Sequence, residues 1–193
     1  MQLHDDQGQR LYLTASERAA FLHAARKAAR EVRTLCALMH DTGIRESEAL
    51  EITPERIDLA GGAVTIRSLK KRGDKAVYRS VPVPSATLDQ LDLVHGIREA
   101  QRRGAPASQA PLWPWSRSTV WRRLSEVMAA AEIAAGPHRC PKGLRHGYGV
   151  HAIASGVPLN MLRKWMGHAS METTAIYANA LGAEEQGIAA RMW

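Results

Sequence analysis

The chain has 193 residues, 45% of them hydrophobic, and 26 Lys+Arg against 19 Asp+Glu give a formal charge of +7 and a pI near 9.8. That apolar content supports a packed core and excludes a wholly disordered chain, and no apolar run approaches the roughly 18 residues of a membrane span. The opening MQLHDDQGQR has no apolar signal region, and two cysteines, Cys36 and Cys140, are too few for a disulfide scaffold or a four-thiolate zinc site. The charge is uneven: residues 1–60 hold 8 basic and 10 acidic side chains, residues 61–145 hold 15 and 6, and residues 146–193 hold 3 and 3. A basic middle of this kind points to a polyanion, most often nucleic acid.

In chain order, helical periodicity dominates. Thr14 and Glu17 form a T-x-x-E capping box ahead of a helix through about Arg30. EVRTLCALMHDTG follows, with Val32, Leu35, Leu38 and Met39 on one face and Gly43 as its stop; ESEALEI makes a short third helix ending near Pro54. The period then falls to two. Val64 and Ile66 alternate with polar neighbours, as do Val77, Arg79, Val81 and Val83, and KKRGDK between them reads as the reversal of a β-hairpin. Helical pattern returns over Ser85–Arg103, and the Pro-rich GAPASQAPLWPWS reads as a surface loop. Further helices are expected over Arg117–Ile133, Pro141–Gly156, Pro158–Gly167 and from Ser170 to about Ala180. These elements predict a predominantly helical α+β fold with a small antiparallel β-sheet on one edge. The expected organisation is one domain over residues 1–193, with 1–10 flexible and 181–193 a tail helix.

Four features carry chemistry. The hairpin sets Arg67, Lys70, Lys71, Arg72, Lys75 and Arg79 against a single acid, Asp74, and suits contact with phosphates. TGIRESEALEI puts Arg45 in the first turn after Gly43, where a guanidinium and free backbone N–H groups can share an anion, with Glu48 one turn on as a buttress. CPKGLRHGYGVHAI places Lys142 and Arg145 on one helical face and points His146 elsewhere. LRKWMGHASMETTAIYANA sets His168 at a helix end and Tyr177 nine residues later. Taken singly, each has a plain structural reading: a solvated ribbon, a surface ion pair, two surface cations, a core His and a core Tyr. Their conjunction in this order does not. H-E-x-x-H, Walker A, G-x-S-x-G and dinucleotide signatures do not occur, and His138, Cys140, His146 and His151 match no standard zinc-ligand spacing.

The succession of TG-x-R-x-S-E, a hairpin Lys, a basic-x-x-R, Gly-His and a Tyr nine residues on resembles the catalytic domain of the tyrosine recombinases, the phage-integrase family, from about Leu11 to Asn179. The resemblance implies the DNA breaking-rejoining enzyme fold and a site-specific recombinase of integrase, invertase or resolvase type that needs no metal and no cofactor. It would work through a 3′-phosphotyrosyl intermediate and a Holliday junction. Tyr177 would be the nucleophile, Arg45 and Arg145 would hold the non-bridging oxygens, and Lys70, with Lys71 in reserve, would protonate the leaving 5′-oxygen. His168 would donate to the phosphate, Lys142 stands where the family usually has His, and Glu48 would support the site. Arg67, Lys71, Arg72, Lys75, Arg79, Arg122 and Arg123 are the further expected DNA contacts. Double-stranded DNA is the implied partner. A homotetrameric synapse would be linked by tails carrying Ile188, Met192 and Trp193, and the expected location is the cytoplasm, on the nucleoid. The family's N-terminal clamp domain is not visible in this sequence. Two rival readings are a type IB topoisomerase-like nicking-closing enzyme, which Lys142 favours, and a non-enzymatic helix-turn-helix regulator built on ASGVPLNMLRKWMGHASMETTAIYA.

Overall fold

The computed structural model describes residues 2–68, 77–179, 186, 187, 189, 190 and 192. Thr14 opens α1 (Ala15–Ala25) as the sequence demands. Its hydroxyl accepts from the Glu17 N–H at 3.3 Å, and the Glu17 carboxylate accepts from the Thr14 N–H at 2.8 Å. Arg10 clamps the same carboxylate from the other side, at 2.8 Å. Removing the cap with Thr14→Ala should lower stability by about 1 kcal/mol, read as a lower urea midpoint. The helix ends five residues before Arg30, and Arg30 instead begins α2 (Arg30–Thr42), which Gly43 closes at a φ of 59°. Residues 2–10, where the sequence predicts flexibility, make some contacts with the rest of the fold. Leu3 is buried, the Leu11 N–H reaches the Leu3 carbonyl at 2.8 Å, and His4 bridges Arg10.

After the one-turn α3 (Glu46–Ala49) come β1 (Ile57–Asp58), β2 (Ala63–Ser68) and β3 (Val77–Pro82), an antiparallel sheet in the order β1-β2-β3. Val64 opposes Val81 and Ile66 opposes Arg79, so Arg79 lies on the inward face that the alternation assigns to Val81. β1 escaped the sequence reading because two residues are too few to show a period. The reversal with Lys70, Lys71, Arg72 and Lys75 lies outside the described residues.

The helix expected over Ser85–Arg103 is two, α4 (Ser85–His95) and α5 (Ile97–Arg103), broken at Gly96 with a φ of 61°. Then follow α6 (Arg117–Ala130), α7 (Pro141–Ala154), α8 (Leu159–Met166) and α9 (Glu172–Ala175), the last running into a 3-10 turn over Ile176–Asn179. Two apolar clusters form the core. α7 lies between them, giving Leu144 to the larger and Tyr148, Val150 and Ala152 to the smaller, where Leu162, Met166 and Tyr177 also sit. Among the described residues no helix is long and apolar enough to cross a membrane.

Candidate active site

The cations gather where helices end and begin. Arg45 is the N-cap residue of α3 in extended conformation, and Lys142 sits in the first turn of α7, behind Pro141. Arg45, Glu46, Ser47, Arg117, Lys142 and Arg145 line a cleft of about 270 Å³. Arg117, the first residue of α6, was not anticipated. Its signal was available, since Ser116 is a capping residue and the side chain that follows a cap points back past the helix start.

Arg145 is held by two helix C-termini. One terminal nitrogen donates to the Gly43 carbonyl at the end of α2 (2.5 Å); the other donates to the Met166 carbonyl at the end of α8 (2.7 Å) and to His168 Nε2 (3.0 Å). Both carbonyls carry the negative end of a helix dipole, which offsets the cost of burying the charge. Burial and then the neighbouring Arg45 push its pKa down to about 10, so it stays protonated at neutral pH.

Because Arg145 only donates, His168 Nε2 must accept, and the ring proton sits on Nδ1, 2.9 Å from Thr174 Oγ1. Burial, then Arg145 and Arg45, push His168 down to about 3, so the ring is neutral. Both nitrogens are thereby engaged, and its contact is with Arg145. Tyr177 lies almost parallel to this ring, at 17° and 6.1 Å between centroids, and is fully buried. Burial raises its phenol to about 12 against the pull of Arg145 and Arg45.

Glu48 buttresses more than Arg45. Its side chain is 0% exposed and accepts four hydrogen bonds: from the Arg45 backbone (3.0 Å) and guanidinium (2.9 Å), and from both terminal nitrogens of Arg79 (3.2 and 2.8 Å). Arg79 also donates to the Trp165 carbonyl at 2.8 Å and to Ser68 at 2.9 Å. Gly167, at a φ of 66°, makes room for it, since a Cβ there would stand 2.9 Å from the guanidinium carbon. Arg79 is therefore no DNA contact. It faces inward and ties the sheet to α3 and α8. Burial would raise the Glu48 carboxyl, but the Arg79 fork outweighs it, helped by Arg45, and holds it below the usual range. Glu48→Gln should cost about 3–5 kcal/mol at neutral pH by leaving Arg79 buried without its counter-charge. A lowered carboxyl contributes stability above its ordinary pKa and loses it as pH falls, so the gap between wild-type and variant melting should shrink below pH 4.5.

A family model for the phage integrase family matches residues 11–184. The chain belongs to that family. Tyrosine recombinase XerD of Mycobacterium tuberculosis (strain H37Rv) is 32% identical over 151 residues, covering 75% of this chain and 46% of that protein. Tyrosine recombinase XerA of Pyrococcus furiosus is 30% identical over 154 residues, covering 75% and 49%. The chain thus spans about half the length of these curated relatives. The fold matches that of the XerH site-specific recombinase bound to palindromic difH substrate in a post-cleavage complex, with a TM-score of 0.75 at 22% identity, over 98% of this chain and 56% of that one.

Within this integrase-family fold, Arg45, Lys142 and Arg145 meet at the cleft, His168 and Tyr177 stand directly behind Arg145, and Glu48 lies beneath Arg45. Arg67 lies on the outer face of β2, 3.6 Å from Glu51. Arg122 and Arg123 both pair with Glu126 on the outer face of α6, and Arg123 lines a separate groove with Ala24 and Lys27. Exposed pairs of this kind hold weakly and exchange readily for a phosphate. The stretch that could read as a helix-turn-helix forms α8 and the four-residue α9, with Thr174 and Tyr177 buried, which is too short to lie along a major groove.

Proposed function

We propose that this chain cleaves and rejoins double-stranded DNA at specific sites, with Tyr177 attacking a scissile phosphodiester. The carrying observation is one continuous network: a cleft lined by Arg45, Lys142 and Arg145, with Arg145 bonded to His168 and His168 stacked on Tyr177. Phosphoryl transfer without a metal must take its charge stabilisation from fixed cations, and guanidinium forks match phosphate oxygens in pairs. Arg45 and Arg145 hold the two non-bridging oxygens and Lys142 adds a third positive charge. Tyr177 Oη forms its bond to phosphorus as the P–O5′ bond breaks; the phenolic proton passes to water in the cleft, and Lys70 gives the leaving oxygen its proton. The phosphotyrosyl bond conserves the energy of the phosphodiester, so a second 5′-hydroxyl can reverse the reaction without ATP.

His168 acts in this scheme by fixing Arg145 and the ring of Tyr177. Arg117 extends the cationic wall to the flanking backbone. DNA as partner is supported by the likeness to XerH, whose structure carries its DNA substrate. Recombination needs two sites and four strands, so four copies on paired DNA, linked through the segment after residue 180, form the working assembly. The test is covalent capture: DNA carrying the cognate site and a nick next to the cleavage position should yield a protein–DNA band resistant to denaturant. Absence of that band on cognate DNA overturns the proposal. Relaxation of supercoils on DNA without any site, by a monomer, would shift the assignment to a topoisomerase.

A further inference from the structure

His146 follows Arg145 on α7 but turns away from the cleft. It is 0% exposed, its Nδ1 lies 3.1 Å from the Tyr177 hydroxyl, and its Nε2 has no hydrogen-bond partner among the described residues. Burial, then the charges of Lys142 and Arg145, push its pKa down to about 4, so the ring is neutral and keeps one lone pair. A buried phenol needs an acceptor for its O–H, and Nδ1 is in reach. Gly149, one turn along the same helix face, supplies the slot for the ring, since a Cβ there would stand 2.5 Å from Tyr177 Cε1. One helix thus holds both the hydroxyl and the ring of the residue read above as the nucleophile.

We propose that His146 is a positioning residue that parks the protonated Tyr177 hydroxyl in the core while no DNA is bound, so that presenting it requires this hydrogen bond to break. The inference rests on Tyr177 being the nucleophile. A general-base role fits less well, because a phenol near 12 does not surrender its proton to an imidazole near 4 while both are buried.

Two variants separate the bond from bulk packing. His146→Leu removes the acceptor at similar volume, and His146→Asn keeps an amide oxygen at about the reach of Nδ1. Without DNA, nitration of Tyr177 by tetranitromethane, located by peptide mass, should rise about fivefold or more in His146→Leu, because stranding a buried hydroxyl penalises the parked state by at least that factor. It should return close to the wild-type level in His146→Asn. Single-turnover cleavage started by adding nicked DNA should quicken in His146→Leu by about the same factor and fall back in His146→Asn. Equal nitration in all three proteins overturns the proposal. So does a cleavage rate about a hundredfold lower in His146→Leu, which would make His146 a base.

If His146→Leu does not fold, Gly149→Ala provides the check. Its Cβ should evict the ring and raise nitration, and unchanged nitration in the folded variant counts against parking. On the wild-type protein, the ¹⁵N resonance of His146 Nδ1 should move in Tyr177→Phe, and an unmoved resonance overturns the hydrogen bond itself. A covalent adduct surviving in Tyr177→Phe would instead remove the nucleophile reading while the resonance shift still reported the bond.

Discussion

Tyr177→Phe should leave no covalent protein–DNA adduct on nicked cognate DNA, a loss approaching the order of 10⁶-fold that follows deletion of a catalytic nucleophile. The substitution removes one oxygen and keeps the ring, so the ring still fills the slot at Gly149 and still lies over His168. What it strands is His146 Nδ1, which loses the phenol 3.1 Å away. An unpartnered buried acceptor costs about 1–3 kcal/mol, so the variant should unfold at lower urea and bind DNA as tightly as wild type in a filter or mobility assay. Tyr148 is the control. It too is buried with its phenol raised to about 12, but its ring packs against Gly43 at the end of α2, whereas the Tyr177 ring fills the slot at Gly149. Tyr148→Phe should keep the adduct. An adduct retained in Tyr177→Phe and lost in Tyr148→Phe would reverse the assignment.

Where the sequence spoke through local chemistry, the fold follows it. The Thr14–Glu17 box has both of its hydrogen bonds, Gly43 terminates α2 in the left-handed conformation, and the alternation around Val64 and Val81 produces the paired strands. These signals depend on residues four or fewer apart, or on a period, and tertiary context does not erase them. The break at Gly96 leaves no mark on the pattern because Leu88, Leu91, Val94 and Ile97 recur every three residues straight across it, and Leu88, Leu91 and Ile97 all end up in the core. An apolar period measures which face is buried, and a kinked pair of helices can bury one continuous face.

The site divides along the same line. Arg45, Lys142 and Arg145 converge because each stands at the start of a helix whose cap or proline the sequence displays. Arg79 shows how charge misleads. The alternation Val77, Arg79, Val81, Val83 already put its side chain on the inward face, yet a run of cations in a hairpin suggested phosphate contact. Its destination depends on Glu48, 31 residues earlier, and on the Trp165 carbonyl, 86 residues later. No local window contains both partners. The helical spacing turns His146 off the Lys142–Arg145 face, and that same rotation delivers it to Tyr177. Only the packing of the turn over Ile176–Asn179 on α7 reveals that the far side of the helix matters.

Arg145→Lys should then have the other large effect, and for reasons that go beyond charge. A lysine ammonium keeps the positive charge but is a point donor, whereas the guanidinium spans the Gly43 carbonyl, the Met166 carbonyl and His168 Nε2 at once. The substitution strands at least one helix-end carbonyl in the core and frees His168 to change tautomer, so the plane of the ring beside Tyr177 is no longer fixed. Losing one preorganised donor at a transition state costs about 10²–10³-fold in rate, and Arg145→Ala, which also removes the charge, should cost at least the upper figure. Stability should fall in both variants, by about 1–3 kcal/mol for each polar group left unpaired. DNA affinity should change far less, since Arg45, Lys142 and Arg117 still line the cleft. Single-turnover cleavage at saturating DNA, beside a binding isotherm at matched salt, separates the two effects. Added methylguanidinium gives the sharper discrimination. The cavity left by Arg145→Ala is walled by the same two carbonyls, so millimolar methylguanidinium should restore part of the cleavage rate to Arg145→Ala and none to Tyr177→Phe. Equal cleavage by wild type and Arg145→Lys would mean that charge alone suffices at this position and that the geometry held by α2 and α8 plays no part in the chemistry.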